Sequence, residues 1–189
     1  MTLLYGVKMD FSELFNSSVL IFPYKEDDEY KIELPEEKAG YFVTIMGVPA
    51  DCMAIKADKF HLGKDLFLGK NGENCRSDYI LLSPSSKDVL IIELKKTNDQ
   101  GCNIINQMKG SYCVLLYIEA IIDMFFNDNP FNKKKIFYVA FVNITRKMPL
   151  KEKEKPTPNT DPEHPRKISS ASAQYKSLLI PGQHGKKGR

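Results

Sequence analysis

Asp78, Glu93 and Lys95 are the residues of this chain whose types and spacing could do chemistry. They lie within Cys75 to Thr97, CRSDYILLSPSSKDVLIIELKKT, which reads as two strands joined by a Ser-Pro-Ser-Ser turn. Side chains along a strand alternate faces, so Glu93 and Lys95 project to one side and Ile92 and Leu94 to the other. An apolar strand therefore ends by presenting a carboxylate beside an ammonium. Asp78 sits fifteen residues before Glu93. Placed on the neighbouring strand, it brings a second carboxylate to the same spot. Hard divalent cations such as Mg²⁺ prefer carboxylate oxygens, and a lysine beside them suits a phosphate.

Other elements must hold these residues in place. Asn98 or Asp99 caps a helix predicted from about Gln100 to Asn127, with Ile104, Met108, Tyr112, Leu115, Ile122 and Phe125 along one stripe. Ile136 to Ile144, IFYVAFVNI, reads as a core strand. Strand, long helix and strand imply a parallel crossover, and the preceding hairpin makes the order β-β-α-β. Further upstream, residues 9–22 read as a short helix leading into a strand, 24–38 as an exposed charged stretch, and Tyr41 to Val48 as a strand. Asp51 to Lys59 is too mixed to assign. The glycines at 63, 69 and 72 match neither a P-loop nor a dinucleotide fingerprint.

With this spacing and order the chain resembles the PD-(D/E)XK nuclease superfamily. Asp78 stands as the first acid and Glu93-Leu94-Lys95 as the E-x-K element. The resemblance covers roughly residues 60 to 145, and the first element reads Arg-Ser-Asp where the family pattern has Pro-Asp. It implies an α/β fold: a mixed central sheet flanked by helices, with a restriction-endonuclease-like core. It also implies that Asp78, Glu93 and the backbone carbonyl of Leu94 hold Mg²⁺ or Mn²⁺, while Lys95 assists the attacking water. Gln107, twelve residues beyond Lys95, matches a glutamine that faces the site in several branches of the family. A further acid is expected from the N-terminal region, where Glu13 and Glu37 are the candidates. Arg76 and Lys96 are candidate phosphate contacts, and His61 has no visible partner.

The implied activity is metal-dependent hydrolysis of phosphodiester bonds, with DNA as the foremost substrate. The alternative is a catalytically inactive nuclease-like domain that binds nucleic acid or protein. So small a chain leaves little room for base readout, so a homodimer or a targeting partner is expected beside it.

Composition sets the remaining bounds. A chain of 189 residues with 42% hydrophobic and 27% charged residues fits one soluble globular domain. Residues 1–59 read as N-terminal elements of that domain, 60–147 as the nuclease-like core, and 148–170 as a loop or linker rich in proline and charge. Residues 171–189 read as a short packed segment and a basic disordered tail. From Arg146 onward, eleven basic and four acidic residues make that segment +7, against −4 for everything before it. A basic arm of this kind attracts polyanions. Cys52, Cys75, Cys102 and Cys113 show no metal-ligand spacing and read as free thiols in a reducing, cytoplasmic setting. No apolar run reaches the roughly twenty residues of a membrane span, and the N-terminus lacks a signal-peptide pattern.

Overall fold

The structure, a computed structural model, describes residues 11–37, 39–61, 66–96, 103–126, 129–142 and 157–181. It is mixed α/β, with two mixed sheets and few helices. Where a short helix leading into a strand was expected over 9–22, the chain from Phe11 makes two single 3-10 turns and then the strand β1 (Leu20–Ile21). Phe11 packs on Phe131, 5.5 Å between ring centroids, and this tertiary anchor holds a segment too short to make a stable helix alone.

The charged stretch expected to be exposed is exposed along β2 (Tyr24–Glu26) and its turn, and forms a hairpin with β3 (Glu29–Glu36). Its two-residue turn is Asp27-Asp28, both at positive φ (48° and 64°), the backbone that such hairpins require and that Asp tolerates. Along β3, Ile32 and Leu34 are fully buried on either side of the exposed Glu33. β3 pairs with β4 (Tyr41–Met46), which buries Val43 and Ile45 on the same face.

The unassigned region holds β5 (Met53–Lys56). β6 (Tyr79–Ser83) and β7 (Asp88–Lys95) follow as an antiparallel pair, then α1 (Ile104–Phe125) and β8 (Lys135–Val142), which runs parallel to β7. The observed cap of α1 is Asn103, whose side chain accepts from the Ile105 N–H at 3.1 Å; Asn98 and Asp99 lie outside the described residues. The chain closes with β9 (Arg166–Ile168), β10 (Ser172–Gln174) and a four-residue helix, α2 (Tyr175–Leu178).

The larger sheet runs β1-β5-β6-β7-β8-β9 and the smaller β10-β4-β3-β2. Period-two alternation sorts the central strands between two cores. Ile80, Leu82, Val89 and Ile91 pack with Met108, Leu115, Ile118 and Ile122 of α1. Tyr79, Leu81, Leu90, Ile92 and Leu94 pack against Ile32, Leu34, Val43 and Ile45 of the smaller sheet. One face of the central sheet is thus covered by a helix and the other by strands, where helices were expected on its flanks. The apolar stripes of β3 and β4 take the place a second helix would have held.

The stretch expected as a loop or linker packs where it is described. Asn159 is fully buried, and its amide donates to the Tyr138 and Leu178 carbonyls at 3.0 and 2.9 Å. β9 then pairs with β8. The basic tail, 182–189, lies outside the described residues. Cys75 is disulfide-bonded while Cys52 and Cys113 are free, which corrects the reading of four free thiols. Disulfides join neighbours in space, which spacing along the chain does not show. No described helix is long and apolar enough to cross a membrane.

Candidate functional site

The register explains how the acids meet. Tyr79 pairs with Ile92, so one step beyond the last pair sets Asp78 opposite Glu93. Asp78 has the parity of Ile80 and Leu82, and Glu93 and Lys95 that of Val89 and Ile91. All three therefore belong to the α1 side of the sheet. α1 meets them with Gln107, buried in its first turns. Leu94 points the other way, into the core beneath the smaller sheet.

Asp78 closes the end of the β6–β7 ladder with its side chain: Oδ2 accepts from the Leu94 N–H at 2.7 Å. Lys95 Nζ lies 2.7 Å from Glu93 Oε1. The Glu93 side chain has no solvent exposure. It leans on Lys95 and on the Gln107 amide, yet its Oε2 is buried without a hydrogen bond of good geometry, as is Gln107 Oε1. The Gln107 Nε2 also makes a long contact, 3.4 Å, to the Arg76 carbonyl.

Both acids are held well above the usual carboxylate range. Burial is the main cause for each. For Asp78, Glu36 and Asp58 push further up, while the Leu94 N–H and Lys95 pull down. For Glu93, Asp78 pushes up, while Lys95 and Gln107 pull down. One lysine does not compensate a buried and a half-buried carboxylate, so the pair retains a proton that a divalent cation would displace.

The approach to Asp78 is built by α1. A Cβ on Gly110 would lie 1.8 Å from the Cys75 carbonyl oxygen, so the helix backbone approaches this loop as only glycine allows. The next helix residue, Ser111, accepts the Ser77 N–H through its Oγ at 2.8 Å and bonds the Ser77 hydroxyl at 2.6 Å. Arg76 Nη1 donates to the Glu73 and Cys75 carbonyls at 2.7 and 2.5 Å.

Asp78, Arg76 and Gln107 open onto a polar cleft of about 250 Å³. Its other walls include Glu36, Glu37, Lys56, Asp58 and Lys59. Glu37, one of the two expected further acids, is there but is paired with Lys56 at 2.9 Å. Glu13, the other, is exposed on the first 3-10 turn and does not line the cleft. Glu36 and Asp58 were missed. The only sequence signal for Glu36 was the apolar alternation Ile32, Leu34 that precedes it. Lys96 is exposed at the strand end. His61 borders a separate, larger and mainly apolar concavity of about 650 Å³ between Phe15, Phe60 and Ile118, away from the acids.

Among the described residues no three His, Cys, Asp or Glu side chains group as a metal site. Two carboxylates, one with an orphaned oxygen, nonetheless fit a cation such as Mg²⁺, which keeps several waters and takes few protein ligands. The chain matches no family model, no curated protein and no solved structure in the comparisons made.

Proposed function

We propose that the protein is a metal-dependent nuclease with a restriction-endonuclease-like core, and that Asp78, Glu93, Lys95 and Gln107 form its active site. The observation that carries this reading is the juxtaposition of Asp78 and Glu93 at one strand end, under-compensated and with Lys95 2.7 Å from Glu93. Asp78, Glu93 and the Leu94 carbonyl would hold Mg²⁺ or Mn²⁺. In an antiparallel pair a residue's N–H and C=O face the same neighbour, and the Leu94 N–H already faces Asp78. The bound ion would supply Lewis acidity and a water of lowered pKa.

The chain's own groups do the rest. Glu93 sets the position of the Lys95 ammonium, which faces the attacking water and the developing charge on the phosphate. The Gln107 amide holds the inner carboxylate in place. Arg76, beside Asp78 in the cleft, adds positive charge where the phosphodiester enters. DNA is the foremost substrate of this reading, which also includes a cytoplasmic setting and a homodimeric or targeting partner. In a reducing cytoplasm the Cys75 disulfide would open.

A second reading is favoured by one observation, the lack of a third metal-grouped side chain among the described residues. It is a nuclease-like domain that binds nucleic acid or protein without cutting. Cleavage of single-stranded, duplex and branched DNA and of RNA, with Mg²⁺ or Mn²⁺, separates the two. Cutting that is lost in Asp78→Ala establishes the enzyme. No cutting together with no metal binding selects the binding module.

A further inference from the structure

We propose that Leu66, Phe67 and Leu68 form an apolar tip that seats unstacked bases of a single-stranded nucleic acid whose phosphate enters the adjoining cleft. This names the substrate class of the nuclease reading and rests on it. The three side chains are 79%, 51% and 85% exposed, a run of apolar surface that the fold leaves bare. Three consecutive exposed apolar side chains make a candidate contact surface.

The loop behind these side chains is built, which makes their exposure informative. The Asn74 amide donates to the Phe67 carbonyl at 3.0 Å. Gly69 and Gly72 take positive φ, 73° and 91°, and a Cβ on Gly72 would lie 2.7 Å from the Asn106 amide of α1. Glu73, the acid of this turn, folds back onto Asn71, accepting its backbone N–H at 2.9 Å and its side-chain amide at 3.0 Å. The apolar triplet faces outward beside exposed Lys70, with Asn71, Glu73 and Asn74 exposed on the same loop.

The position of the loop selects the occupant. Phe67 is one hydrogen bond from Asn74, and Asn74 is two residues from Arg76, which lines the cleft with Asp78. Two residues span at most ~7 Å of backbone, so the tip and the cleft lie on one continuous stretch of surface. A strand with a phosphate at the cleft therefore has neighbouring bases at the tip. Aromatic and aliphatic side chains accept any base face, but only where the base is not already stacked in a duplex. Lys70 and Arg76 put positive charge along the path, beside the exposed Glu73.

The test uses Glu93→Gln protein, which binds without cutting, with and without a triple change of Leu66, Phe67 and Leu68 to Ser. The probe is a single-stranded deoxyoligonucleotide carrying 2-aminopurine, whose fluorescence reports base stacking. The expected result is a loss of affinity of roughly 5- to 100-fold in the triple variant. The fluorescence change should vanish and the salt dependence stay put, because phosphate contacts are untouched. Melting temperature should also hold, since the three side chains are exposed. Unchanged affinity and fluorescence overturn the tip. Equal losses on duplex and single strand overturn it too. So does retained DNA affinity with loss of self-association in sedimentation, or of binding to phosphatidylserine vesicles, which would assign the triplet to a second copy or a membrane. Metal-dependent cleavage by the wild type with unchanged binding by the triple variant would sink the tip alone. Tip-dependent binding without wild-type cleavage would support the tip and sink the nuclease reading alone.

Discussion

The two ends of β7 both carry buried acids, and they are treated in opposite ways. At its start, Asp88 is nearly buried, and its carboxylate accepts the Tyr175 hydroxyl at 3.4 Å. Beside it Asp51 accepts the Ser85 N–H and hydroxyl, both at 2.9 Å, and stitches the β6–β7 turn to the chain before β5. At its finish, Glu93 and Asp78 share one lysine, one backbone N–H and a weakly placed amide, and an oxygen is left over. Burial alone does not make a site. The first cluster uses its polar groups to close a turn; the second leaves acceptor oxygens that something from outside can use.

The sharpest way to break this contrast is to change one acid at each end. Glu93→Gln should lower metal-dependent cleavage by ~10³-fold or more, read as initial rate on a labelled substrate, with the fold retained by circular dichroism. Asp51→Asn should leave that rate near wild type. If both variants cleave alike, the functional difference between the two ends disappears.

Next in size is the pH response of the metal-free protein. In the unfolded chain these acids titrate near 3.8 and 4.5, while burial lifts Asp78 to about 7 and Glu93 to about 8. The folded form then binds more protons than the unfolded one across that interval. Stability should therefore fall as pH rises from about 4 to about 8 and level off beyond. Thermal melts across this range should show the slope in wild type and a shallower one in Glu93→Gln. Saturating Mg²⁺ should raise the melting temperature most at the alkaline side, where displacing the proton costs least.

Gly110→Ala tests the support under the site. Its Cβ would strike the Cys75 carbonyl, so the helix or the Asp78 loop must move, at a cost of about 1–3 kcal/mol in urea unfolding. Cleavage should drop as well, because the same loop carries Asp78. The smallest effect belongs to the satisfied end: Asp51→Ala should cost about 1 kcal/mol, with no change in metal affinity by calorimetry.

Much of the candidate site was legible because strand parity and the E-x-K spacing are local. Glu93 and Lys95 had to share a face once β7 was a strand, and Asp78 fell opposite once the turn length was set. The crossover from β7 through α1 to β8 was legible for the same reason, since its apolar periods are long and unbroken. The hairpin of β2 and β3 was not. Its charges outnumber its buried pair, Ile32 and Leu34, and the Asp27-Asp28 turn lacks the glycine that usually announces such a turn. Asn159 read as linker because nothing local foretells that its amide will bond two distant carbonyls.

By itself the sequence determined the alternation, the helix and the chemistry available at the end of β7. Only the tertiary structure decided that a second sheet covers one face, that Glu36 and Asp58 join the cleft, and that Glu37 is neutralised by Lys56. It also decided that the Glu93 side chain has no solvent exposure in the metal-free fold. Those outcomes depend on which surfaces meet across the core, and on how completely they exclude solvent. Side-chain order along a chain carries neither.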